Sequence, residues 1–175
     1  AQAADCGPMA IRYPRGCGFS ADWRTPMRAL EIGRGEQLAH GTDLAIISTG
    51  TIAREVSEAI ALLAAQGISA AHFDMTFVKP LDTAMLRDIA RSGMPVLTVE
   101  DGTIEGGLGT AVAAWMADEG YHPAMRRLGI PDRFVAQGSV AQLKKLCGID
   151  AASIAQAAAG LAKIQSPVKS TAICE

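Results

Sequence analysis

The sequence predicts an α/β fold: a three-layer, doubly wound, mainly parallel sheet with helices on both faces. Three observations carry this. From Asp43 onward apolar strand-like runs alternate with helix-period segments. The run Leu44-Ala45-Ile46-Ile47-Ser48 is apolar without alternation, as in a strand buried on both faces. The connecting segments are short, and Gly67 and Gly93 stand where helices should stop.

Taken in order, Met9–Tyr13 reads as a short strand stopped by Pro14, with a turn over Arg15–Gly18. Residues 19–27 have neither period and read as a connector. Residues 29–41 suggest a short pair of strands broken by Gly33 and Gly35. After the 44–48 strand, Thr49 or Thr51 is placed to cap a helix over 52–66. Its apolar positions Val56, Ile60, Leu63 and Ala64 share one face. A strand over 69–74 follows. Asp82 is a good N-cap for a helix through Arg91, with Met85, Leu86 and Ile89 as its buried stripe. Pro95–Val99 is a third strand of the regular region. Gly106-Gly107-Leu108-Gly109 leads into a helix to about Glu119, with Val112, Trp115 and Met116 inward. Met125–Leu128 is a strand, and 139–146 and 151–163 are helices. The polar tail over 166–175 is expected to fray.

Composition excludes several classes of function. The chain has 175 residues, 49% of them hydrophobic and 19% charged, which is not the balance of a disordered chain. At this length roughly two thirds of the unfolded surface can be buried. Sixteen Lys and Arg against eighteen Asp and Glu give a net charge of −2, and no basic cluster forms a face for nucleic acid. No apolar run approaches the roughly 20 residues of a membrane span, and residues 1–7 do not read as a signal peptide. Cys6, Cys17, Cys147 and Cys174 are far apart, as are His40, His72 and His122. That spacing predicts neither a metal site nor a disulfide framework, and the default location is the cytoplasm.

In open α/β sheets ligands favour the carboxyl ends of strands, and three such ends carry candidates. In Ser48–Thr51 no base for a serine or threonine nucleophile is apparent. In Asp74–Asp82, Lys79 reads as a solvated loop residue or, less often, as an ammonium that contacts substrate, and Pro80 fixes the turn before the helix. The third is Glu100–Gly109. Its glycines precede a helix, whose free N–H groups suit an anion, but the spacing is neither GxGxxG nor a Walker loop. Glu100, Asp101 and Glu105 would repel phosphate. The glycines then serve a tight turn and close packing, and the carboxylates hold a cation or accept hydrogen bonds across a subunit interface. His72, inside a strand, reads as a satisfied core histidine. Arg12 and Arg15, flanking Tyr13-Pro14, suit either bidentate contact with a phosphate or carboxylate or a structural ion pair.

The motifs MAIRYPRG at 9–16, FDMTFVKPLD at 73–82, LTVEDGTIEGGLGTAV at 97–112 and LGIPDRFVAQG at 128–138, with the weaker LCGIDAASI at 146–154, resemble the C-terminal part of the 1-deoxy-D-xylulose-5-phosphate synthase family. The resemblance covers about residues 7–163. It implies a transketolase C-terminal-like domain over 41–165, a connector with edge strands over 19–40, and the tail end of a preceding pyrimidine-binding domain over 1–18. It implies that the full enzyme uses thiamine diphosphate and Mg²⁺ to condense pyruvate with glyceraldehyde 3-phosphate, losing CO₂. This chain lacks the family's GDG…N segment, its pyrimidine-domain glutamate motif and its upstream histidine segment. No catalytic residue and no cofactor are therefore expected in it, and alone it is expected to be inactive. Arg15, with Arg12 beside it, maps to the substrate-phosphate position. Cys17 stands where many relatives have a polar residue, a harmless departure.

The expected role is dimer contact and scaffolding, with the missing N-terminal domains and a second copy as partners. Glu100, Asp101, Gly106, Gly107, Gly109 and Trp115 are the candidate interface. Two other readings are carried along. One is a free-standing assembly subunit docking on a separate thiamine-diphosphate enzyme chain, as in 2-oxoacid dehydrogenase β chains. The other is a small-ligand binder with a pocket where the strand order switches. Apolar surface once covered by neighbouring domains should favour self-association through the third loop, Trp115 and Met116.

Overall fold

A computed structural model describes residues 29–165. The 9–13 strand, the 19–27 connector, Arg12, Arg15, Cys6, Cys17, Cys174 and the 166–175 tail lie outside the described residues.

The strands are β1 (Glu36–Ala39), β2 (Leu44–Thr49), β3 (Ala70–Asp74), β4 (Val96–Thr103) and β5 (Met125–Ile130). The helices are α1 (Ala53–Ala64), α2 (Thr83–Ser92), α3 (Leu108–Asp118), α4 (Val140–Cys147) and α5 (Ala151–Gln165). The five strands form one sheet in the order β1-β3-β2-β4-β5. β2 is parallel to β3 and β4, and β4 to β5, whereas β1 is antiparallel to β3. This is the three-layer, mainly parallel α/β architecture that strand–helix alternation predicts.

The pleat sorts the core into two clusters. Leu44 and Ile46 of β2 and Leu97 and Val99 of β4 pack with Val56, Ala59 and Leu63 of α1 and Ile154, Ala155, Ala158 and Leu161 of α5. The alternate positions Ala45, Ile47 and Val96 pack with Leu86 and Ile89 of α2 and Leu108, Val112 and Met116 of α3. β2 is therefore covered on both faces, and each fully buried Leu or Ile contributes about 1.5–3 kcal/mol. Gly67 and Gly93 adopt positive φ at the ends of α1 and α2.

Several elements differ from the sequence expectation. Residues 29–41 hold one strand, not a pair. Ile32 and Gly33 form a turn, and β1 finds its partner in β3, Glu36 opposite Asp74. Neither Thr49 nor Thr51 caps α1. A 3-10 turn over Gly50–Ile52 intervenes, and no side chain closes the helix start. The buried stripe of α1 is Val56, Ala59 and Leu63, continuing Ile52, and Ala64 is exposed one step off that line. β4 runs to Thr103, past the expected end at Val99, because it goes on pairing with β5 beyond a register shift between Val99 and Thr103. Asp82 caps α2 as expected, accepting the Met85 amide, and Ser139 caps α4 in a reciprocal box with Gln142.

Candidate functional site

The strand order reverses at β2, with β3 on one side and β4 on the other, so the switch point lies between the carboxyl ends of β2 and β4. Thr49 and Glu100 are register partners there. Glu100 is on the α3 face of β4, 5% exposed. Its Oε2 accepts the Leu108 amide at 2.8 Å and its Oε1 accepts the Gly109 amide at 2.9 Å. The first turn of α3 thus presents its positive end and two of its free N–H groups to a carboxylate of its own chain. The ready-made anion site at this glycine-rich loop is filled from within.

The glycines make that approach possible. A Cβ on Gly107 would lie 2.0 Å from Glu100 Oε2 and 2.5 Å from the Thr103 carbonyl oxygen. One on Gly109 would lie 2.5 Å from Thr98 Oγ1 and 3.0 Å from the Arg127 side chain. Gly106 needs its residue type for another reason, a φ of 71°. The tight-turn and close-packing account of these glycines is the one the geometry bears out.

Arg127, from β5, closes the loop. Its Nη1 donates to Thr110 Oγ1 at 2.7 Å and to the Ile104 carbonyl at 3.1 Å. Thr110 Oγ1 in turn donates to Ile104 O and accepts the Gly106 amide. Sequence reasoning missed Arg127. Its one signal is a charged residue in a strand next to the glycine loop, and the meaning of that signal depends on β4–β5 register. Asp101, expected on the loop, is partly exposed in the last part of β4. Trp115, expected inward, is partly buried. It stacks on Tyr121 at 6.0 Å between ring centroids, with the Arg87 guanidinium 5.8 Å from its ring centroid.

The second loop holds a different junction. Asp82 Oδ1 accepts the Met85 amide at 2.9 Å, and Oδ2 accepts the Gly35 amide at 3.0 Å, with Arg34 3.8 Å away. Burial alone would raise this carboxyl. The amides of Met85, Gly35 and Ala84, with the Arg34 charge, outweigh it and hold Asp82 below the usual carboxylate value. Lys79 is exposed, and the Lys79–Pro80 peptide bond is cis.

At the first strand end the structure supplies what sequence did not. Ser48 Oγ and His72 Nε2 lie 2.8 Å apart, on neighbouring strands. Both residues are buried, and burial lowers the His72 pKa to about 4. The pair is a neutral core hydrogen bond that no substrate reaches from solvent, so His72 is the satisfied core histidine expected.

The described residues do not fit a thiamine diphosphate or its Mg²⁺. The α3 amides are already engaged by Glu100, and among the described residues no group of three or more His, Cys, Asp or Glu is placed to hold a metal ion. Two shallow clefts lie away from the switch point. One, of about 370 Å³, is between β1 and α2, and the other, of about 480 Å³, is between α1 and α5. The small-ligand reading loses its motivating feature with them. Among the described residues no helix is long and apolar enough to cross a membrane.

Comparison with known proteins agrees with this architecture. The family model for the transketolase C-terminal domain matches residues 33–154. The 1-deoxy-D-xylulose-5-phosphate synthase of Porphyromonas gingivalis is 51% identical over 148 residues, 85% of this chain and 23% of that protein. The synthase of Parabacteroides distasonis is 47% identical over 154 residues, 88% of this chain and 24% of that protein. The chain thus spans about a quarter of the length of these relatives. Among solved structures, a split gene transketolase in an inactive β4 tetramer superposes with a TM-score of 0.71 at 32% identity, over 77% of this chain and 44% of that one. Transketolase from Leishmania mexicana shares the fold at a TM-score of 0.58 and 18% identity, over 76% of this chain and 18% of that one. By these matches over most of its length, the chain belongs to the transketolase C-terminal domain family.

Proposed function

We propose that this chain is the C-terminal domain of a thiamine-diphosphate-dependent 1-deoxy-D-xylulose-5-phosphate synthase. The whole enzyme would join pyruvate to glyceraldehyde 3-phosphate with loss of CO₂, in the cytoplasm. The observation that carries the reading is identity of 51% and 47%, over 85% and 88% of the chain, to two proteins of that name. In it residues 1–18 close the pyrimidine-binding domain, 19–40 connect and add the sheet edge, 41–165 form this domain, and 166–175 trail from it. Thiamine diphosphate and Mg²⁺ belong to the domains upstream. This domain contributes dimer contact and scaffolding, through Asp101 at the end of β4, Gly106 on the loop and Trp115 on α3, braced by Glu100, Gly107 and Gly109. Arg15, with Arg12, reaches the substrate phosphate in the assembled enzyme.

The free-standing assembly subunit is the competing reading. The curated relatives, in which this region is about a quarter of one polypeptide, weigh against it. Intact mass of the native protein, with peptide mapping upstream of Ala1, separates the two. A parent about four times this length with cofactor-domain peptides is expected. A native chain of 175 residues would overturn the reading. A thermal shift of the isolated chain with thiamine diphosphate and Mg²⁺ is the second test. No stabilisation is expected, because a ligand that binds the folded state must raise its stability.

A further inference from the structure

β2, β3, β4 and β5 run in one direction, so their carboxyl ends share one rim of the sheet. β1 is antiparallel, with Glu36 opposite Asp74, so the segment leading into it lies at that same rim. The Gly35 amide on Asp82 and the closeness of Gly33 to Pro80 fix it there. α4 is held there too. Its Lys144 pairs with Glu55 in the first turn of α1, which begins at the carboxyl end of β2.

Large apolar side chains stand exposed around this rim. They are Leu30 and Ile32 on the entering segment, Val78 after β3, Phe134 after β5, and Val140 and Leu146 on α4. Phe134 is fully exposed and Leu30 and Ile32 are about two thirds exposed, at 69% and 68%. Among the described residues, the other exposed large apolar residues are Leu38 in β1 and Leu62 in α1. The turns of the opposite rim expose none of this kind. They are closed on themselves, with the Asp43 carboxylate accepting the Ser69 amide and Ser69 O accepting the Thr42 and Asp43 amides. Apolar groups gathered on one side of a domain mark a docking surface.

The occupant follows from where the chain comes in. Residue 29 enters along this rim, and the relatives carry about three quarters of their length outside the matched region. We propose that the carboxyl rim of the sheet is the face on which the preceding catalytic domains of the same polypeptide seat, with Phe134, Ile32 and Val78 as its apolar anchors. The proposal rests on the reading above and adds a direction to it. The α1–α5 face and the amino rim stay in solvent or serve other contacts.

Hydrogen exchange of the full-length parent against this 175-residue chain tests it. Amides of residues 76–79 and 132–139 should exchange at least tenfold more slowly in the parent, while those of 40–43, 93 and 94 stay unchanged. Protection at the amino rim or over α1 and α5 instead, or no added protection, would overturn it. So would protection already present in the isolated chain and dependent on its concentration, which means a second copy covers the rim. A second arm needs only the parent. Phe134→Ser and Ile32→Ser, both at exposed positions, should speed proteolysis within residues 19–28 several-fold, and Leu62→Ser should not. Equal behaviour of all three would count against the rim. A native polypeptide of only 175 residues overturns this proposal together with the reading it rests on. A longer one protected elsewhere overturns this proposal alone.

Discussion

Glu100 and Gly109 are joined by a 2.9 Å hydrogen bond from the first turn of α3 to a carboxylate on β4, nine residues earlier in the chain. Its twin runs from Leu108. Glu100→Ala leaves two buried amides without a partner, each costing about 1–3 kcal/mol. A loss of about 2–4 kcal/mol in urea denaturation is expected, with Glu100→Gln losing about half as much. Stability of the alanine variant within about 0.5 kcal/mol of the parent chain, on the order of ordinary surface substitutions, would refute the capping role.

Close approach at the glycines is tested by adding one carbon. Gly107→Ala forces a Cβ against the Thr103 backbone oxygen, which cannot rotate away. Overpacking of this kind costs about 1–3 kcal/mol. Gly102→Ala meets only Glu100 Oε2 at 3.4 Å and should be nearly silent. Thermal melts of the pair should therefore separate. Coincident melts would mean that α3 can shift outward freely.

His72 sets an acid limit on stability. Its pKa is about 4 in the fold against 6.5 in the unfolded chain, so between those values the unfolded chain binds the extra proton. Its contribution is fully present above pH 6.5 and is lost as pH falls toward 4. The slope is about 1.4 kcal/mol per pH unit and the total about 3 kcal/mol. Replacing His72 by Gln should flatten denaturation midpoints across that window. An unchanged pH profile in the variant would assign the acid loss elsewhere.

Asp82 acts at lower pH. Its carboxyl is held below the usual value, so its contribution is complete above that value and fades as pH falls through the folded pKa. Asp82→Ala removes the cap of α2 and frees the Gly35 amide. A cap alone is worth about 0.5–2 kcal/mol. The variant should also open residues 29–35 to protease at neutral pH. Unaltered cleavage there would show that the entering segment is held by other contacts.

Legibility in sequence followed the range of the interactions. Local signals read well: the apolar run of β2, the Asp82 cap, and the glycines ending α1 and α2 all depend on neighbours within a few residues. Pairings that depend on sheet register did not. Ser48 meets His72 across 24 residues, and Arg127 meets Ile104 across 23. β4 passed for a loop after Val99 because Glu100, Asp101 and Gly102 have poor strand character, which pairing with β5 overrides. For the same reason Glu100 read as an anion-repelling or partner-facing group. Its true destination becomes visible only when α3 is folded back onto the sheet. The resemblance at 73–82, 97–112 and 128–138 named the family; the residues alone reached only the architecture.

The Lys144–Glu55 pair has a consequence for how the domain comes apart. α4 carries no fully buried side chain of its own, and the ion pair is a main tie between it and the body. Elements that hide little apolar surface detach at low free energy while the rest persists. The first excursion among the described elements is thus a hinged release of α4 between Ser139 and Gly148, ahead of any separation of strands.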